Sequence, residues 1–147
     1  GINLAGVDGS GQLQITWWIP RFVGQWAVSN LTAAISAPGV DGESLVAFNT
    51  TGGGLNMAAR TDDDQIVVFW WVPGAPGNKW RVQQVSAAIA EPDMVLVPRG
   101  ELSAASAADG LTSIVGASGD GSVIRFFGSV LDQSWSAEVL TELAQLG

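Results

Sequence analysis

Residues 2–20, INLAGVDGSGQLQITWWIP, and residues 55–73, LNMAARTDDDQIVVFWWVP, are two copies of one pattern at an offset of 53. Six of the nineteen aligned positions are identical: Asn3 and Asn56, Ala5 and Ala58, Gln12 and Gln65, Trp17 and Trp70, Trp18 and Trp71, Pro20 and Pro73. After a length change of one residue the match resumes as WAVSNLTAAISAP from Trp26 and WRVQQVSAAIAEP from Trp80, with six of thirteen positions identical. A more diverged third copy runs from Leu111, where GDGSVIRFF takes the place of DDDQIVVFWW and Trp135 follows Trp80 by 55 residues. Leu31, Val85 and Leu140 each lie five residues after the repeat tryptophan. Self-similarity at a fixed period marks units that cannot bury their own apolar faces and must stack on one another.

Within a unit, β-branched and aromatic runs broken by Gly, Asp and Asn read as strands and turns. In the middle copy the pattern predicts strands over Ser44–Asn49, Leu55–Arg60, Gln65–Val72 and Trp80–Val85. Turns fall at Thr51–Gly54 and Asp62–Asp64, a loop at Gly74–Lys79, and Ala87–Pro92 crosses to the next unit. Strands of the third copy are expected near Glu101, Leu111, Ser122 and Trp135, and the first copy lacks the leading strand, giving three, four and four strands. Side chains alternate across a strand, so each Trp-Trp pair sends one indole to either face. Ile66, Val68 and Trp70 then line one face of the middle unit and Val67, Phe69 and Trp71 the other, so both need cover. In the first copy one face reads Gln12, Gln14, Thr16 and Trp18, which predicts solvent or a polar interface there.

The expected fold is therefore all-β: four-stranded antiparallel blades of a partial β-propeller, about 2.7 repeats of roughly 55 residues in a chain of 147. One repeat domain, 1–147, divides into an incomplete blade over 1–38 and blades over 39–92 and 93–147. Propellers have typically four to eight blades, so closure requires other chains or further sequence.

Composition narrows the chemistry. Hydrophobic residues make up 47%, enough for a packed core. Cysteine and histidine are both absent, which removes thiol nucleophiles, thiolate metal sites, imidazole bases and disulfides. Fourteen acidic against six basic residues give a net charge of -8, which repels nucleic acid. No apolar run reaches the roughly 18 residues of a membrane span, so no membrane insertion is expected. A Lys-poor, acidic, Gly-rich surface fits an extracellular, periplasmic or cell-surface location.

No catalytic constellation emerges. Asp41, Glu43, Glu91, Asp93, Glu101, Asp109 and Asp132 fall mostly in connections and no pair stands out for acid–base work. The Asp8–Gly11, Asp62–Asp64 and Gly119–Gly121 segments read as hairpin turns rather than calcium loops. No enzyme activity, cofactor or metal is expected. A tryptophan face can stack on the C–H face of a pyranose. Trp26, Trp80 and Trp135 begin the outer strand after a variable loop and are the surface candidates for ligand contact. Arg60 and Arg125 lie in predicted strands; each is expected to reach the sheet edge or to pair with an Asp of the adjacent turn, and both are candidates for gripping a ligand.

The succession of Asp8-Gly9, Trp17-Trp18, Trp26 and Leu31-Thr32-Ala33-Ala34, then Trp70-Trp71, Trp80 and Ser86-Ala87-Ala88, resembles the blades of bacterial fucose-binding propeller lectins and related Trp-rich propeller repeats. The resemblance implies a propeller and a carbohydrate ligand. The residues themselves favour a non-catalytic binding or scaffold module, working with other protein chains in a homo-oligomer or larger complex; a carbohydrate-binding lectin is the alternative.

Overall fold

The computed structural model describes residues 3–19, 24–51, 53–71, 80–89 and 98–143. The expected loop at 74–79 and the end of the crossing segment at 90–92 lie outside these residues. Three antiparallel sheets follow one another in chain order. The first holds β1 (Asn3–Val7), β2 (Leu13–Ile19) and β3 (Gln25–Asn30). The second holds β4 (Val46–Thr50), β5 (Gly54–Arg60), β6 (Ile66–Trp71) and β7 (Arg81–Gln84). The third holds β8 (Leu102–Ser106), β9 (Thr112–Ala117), β10 (Val123–Ser129) and β11 (Ser134–Val139). The counts of three, four and four are those expected. Ser44 departs from expectation: it ends a 3-10 turn, Gly42–Ser44, capped by the Asp41 carboxylate accepting from Glu43 N.

The repeat is visible in the turns. Asp8–Gln12, Thr61–Gln65 and Ser118–Ser122 each join two strands through the same pair of backbone hydrogen bonds, from residue 1 to the carbonyl of residue 5 and from residue 4 back to residue 1. Residue 4 has positive φ in all three: Gly11 at 74°, Asp64 at 61° and Gly121 at 87°. Only Gly, Asn and Asp adopt that conformation readily. The acidic turns therefore do what their composition indicated. Asp8 accepts from Ser10 N and Gln12 N, Asp120 from Ser122 N, and these bonds hold both carboxyls below their usual range, with the Ser118 hydroxyl the largest cause at Asp120.

The Leu-Thr-Ala-Ala motif forms a short helix, α1 (Leu31–Ala34), which strand-based reading of the sequence did not foresee. Its purpose is a tie: buried Thr32 accepts from Leu13 N at 2.9 Å, and Ser86 in the second repeat accepts from Ile66 N at 2.6 Å. Asn30 caps α1 by accepting from Ala33 N. The chain's last described element, α2 (Leu140–Leu143), follows β11 at the equivalent place.

The second sheet is covered on both faces, as the alternation in β6 requires. Ile66, Val67, Val68 and Phe69 are all 0% exposed. Val67 and Phe69, with Met57 and Ala59, pack against Leu13, Ile15 and Leu31 of the first repeat. Ile66, Val68 and Trp70 pack against Ile114, Ile124, Phe126 and Trp135 of the third. Each sheet thus has a front, which meets the back of the next sheet in the chain. Ala5, Leu13, Ile15 and Trp17 on the front of the first sheet correspond to Ala58, Ile66, Val68 and Trp70 on the front of the second, so the stacking direction is the same at both junctions.

Candidate functional site

The two junctions differ. Between the first and second sheets lies a cleft with two adjoining lobes of about 320 and 330 Å³, sharing Asn3, Ile15, Leu55 and Trp80. The front of the first sheet contributes Asn3, Ala5, Ile15 and Trp17; the back of the second contributes Leu55, Met57, Trp71 and Trp80, with Asn49 at the rim. Trp17, Trp71 and Trp80 are each half-buried, leaving indole surface open to the cleft, while Asn3 and Asn49 are exposed. An Asn amide both donates and accepts, so the two amides offer the complement of vicinal hydroxyls. Among the described residues no charged side chain lines either lobe.

At the second junction the same positions are filled. Hairpin register places Gly128 where the second sheet has Trp71, and Trp135 where it has Trp80. Without an indole at 128, Trp135 sinks between the sheets to 6% exposure. Its Nε1 donates to Gln83 Oε1 at 3.1 Å, and Gln83 Nε2 donates to the Gln133 carbonyl at 3.0 Å. Val130 and Phe48 complete the apolar fill. Gln83→Ala would leave the Trp135 N–H buried without its acceptor and is expected to cost about 1–3 kcal/mol. Urea unfolding followed by circular dichroism checks this.

The five candidate residues are thus scattered. Trp80 forms a cleft wall. Trp135, expected at the surface, is buried core, because its neighbours across the junction enclose it. Trp26 is 47% exposed on the back of the first sheet, with its ring 5.4 Å from that of Trp18. Arg60 sits at the far end of β5, roughly 17 Å of strand from Leu55, and bonds Asp41 and Asp64, the latter in the adjacent turn. Its guanidinium holds the Asp41 carboxyl below the usual range. Arg125 lies on the front of the third sheet, where Nη1 donates to Glu138 at 2.9 Å, Nε to Ser113 at 3.0 Å, and the guanidinium covers the Phe127 ring at 4.9 Å. Its acid comes from the neighbouring strand instead of a turn.

Sequence reasoning did not name Asn3 and Asn49 as site residues, nor Trp17 and Trp71, which it took only as members of Trp-Trp pairs that send one indole to each face of a strand. The signal for Trp71 was its loss in the third copy, which a comparison of turn registers makes unambiguous.

No protein-family model matches the chain, and no curated protein matches it. Among solved structures it is similar to a fucose lectin from Kordia zhangzhouensis, in complex with methyl-fucoside, at 14% sequence identity and a TM-score of 0.48, over 94% of this chain and 96% of that one.

Proposed function

We propose that the chain is a non-catalytic binding module built from propeller-type blades, and that it takes a neutral, ring-shaped polyol such as a pyranose in the cleft between the first and second sheets. The observation that carries this reading is the lining: three half-buried indoles from facing sheets around exposed amides, without a described charge. Indole faces match the C–H face of a sugar ring, and amides match its hydroxyls. The stacked, same-handed order of the sheets supports the blade reading. The absence of histidine and cysteine, with the acidic turns engaged in capping their own hairpins, favours binding over catalysis.

Calorimetric titration with a panel of methyl glycosides tests the proposal. One saccharide should bind with one site per chain, since at the second junction Trp135 is buried in the equivalent place and the pocket of about 500 Å³ beside it, lined by Thr50, Asp109, Gly128, Val130 and Asp132 among others, has no tryptophan in its lining. Trp80→Ala should weaken binding at least about tenfold, a loss of roughly 1.4 kcal/mol, with no loss of fold by circular dichroism. Two equivalent sites per chain, or binding indifferent to Trp80, would contradict it.

A further inference from the structure

Three hairpin turns meet at the rim of the second junction, and hydrogen bonds hold them there. The β8–β9 turn, residues 107–111, closes by the same pair of backbone bonds as the repeat turns, and its Ala107 carbonyl also accepts from Thr51 Oγ1 of the β4–β5 turn at 3.2 Å. The β10–β11 turn is tied across the junction by Gln83 Nε2 donating to the Gln133 carbonyl, and within itself by Asp132 N donating to Ser129 Oγ at 3.2 Å. Between these turns lies a pocket of about 500 Å³ with Leu111, Val130 and Leu131 as its apolar wall. Leu131 is 69% exposed and Leu111 36%, so folding leaves leucine surface unused in this lining.

Two carboxylates, Asp109 and Asp132, stand in the same lining, and among the described residues no basic side chain joins them there or pairs with either. The Asp109 carboxylate is oriented by its own turn: Oδ1 accepts from Leu111 N at 3.0 Å, which leaves Oδ2 for a ligand. Asp132 makes its hydrogen bond through the backbone amide, not the carboxylate. This chemistry is the reverse of the first cleft, where indoles and amides stand without a described charge. The strand order β11-β10-β9-β8 sets the two acid-bearing turns two strand spacings apart, about 10 Å. That separation favours two ammonium groups over one, and the leucines between solvent and core favour a methylene chain joining them.

We propose that this rim pocket is a second binding site, for a short aliphatic diamine, with one ammonium donating to Asp109 Oδ2, the other to the Asp132 carboxylate, and the methylenes laid on Leu111 and Leu131. The turns are already tied to one another, so binding does not have to order them. The pocket shares no lining residue with the cleft between the first and second sheets, so this site stands or falls independently of the saccharide reading.

Calorimetric titration with cadaverine at low ionic strength is the test, with pentylamine, pentanol and acetyl-lysine amide for comparison. Cadaverine should saturate one site per chain and bind more tightly than either monoamine, and pentanol should not bind. Asp109→Asn, which keeps an Oδ1 acceptor for the turn, and Asp132→Asn should each weaken cadaverine about two- to fivefold, the range of an exposed ion pair, and together roughly tenfold. Leu131→Ser should weaken it as well. Glu101→Gln, just before the far end of β8, removes the same charge and should change nothing. All four positions are exposed, so each variant should keep a native circular dichroism spectrum. No saturable binding, or a loss in Glu101→Gln equal to that in the pocket variants, would mean only the general attraction of cations to an acidic chain and overturns the proposal. Acetyl-lysine amide matching cadaverine would assign the pocket to a peptide lysine and overturns it equally.

Discussion

Trp70→Ala is expected to cost about 3–5 kcal/mol of stability, while Trp71→Ala, one residue along the same strand, should cost distinctly less. Trp70 is 4% exposed and packs with Val68, Phe126 and Trp135 between the second and third sheets, so truncation leaves a cavity that two rigid sheets cannot close. Trp71 points to the opposite face, is half-buried and borders the open cleft, where water replaces the indole without a trapped void. Guanidinium unfolding of the two variants measures the difference. Equal losses would mean that the cleft is packed core.

Gly128→Ala should be nearly as damaging, at about 3 kcal/mol, the upper end for overpacking. A Cβ at 128 would run into the Ser134 carbonyl and lie 2.9 Å from Trp135 Cα. Both obstacles are backbone of β11, paired directly with Gly128, and cannot swing aside as a side chain would. Relief requires prising β10 from β11 at the point where Trp135 enters the core. Gly6→Ala is the control: nothing lies within 4 Å of a Cβ there and its φ is not positive. Its melting temperature should stay at or slightly above wild type. A Gly128→Ala protein with an unchanged melting temperature would mean that Trp135 is not seated as described.

The two predictions mark what the sequence made legible. Period-2 alternation in residues 66–71 assigned every side chain of β6 to the correct face, because a strand buried on both sides has one register that fits. The hairpin turns were equally readable, since a positive φ at a fixed position admits few residues. The Leu31–Ala34 helix was not, being a single turn too short to show a period. Trp135 was misplaced for a different reason. It and Trp80 occupy the same position in their own sheets, and what separates core from cleft wall is what surrounds them: Trp135 has Gly128 beside it on its own sheet and Gln83 across the junction, whereas Trp80 has Trp71 on its own sheet beside an open lobe. Repeat comparison describes each unit well, but the site is made between units.

The seven tryptophans of the chain give each region its own indole N–H signal in a heteronuclear NMR titration. On addition of the methyl glycoside that binds, the signals of Trp17, Trp71 and Trp80 should shift together and saturate with one affinity, while those of Trp70 and Trp135 stay in place. Shifts confined to Trp26 and Trp18, or none with any glycoside of the panel, would contradict the assignment of the first inter-sheet cleft as the ligand site.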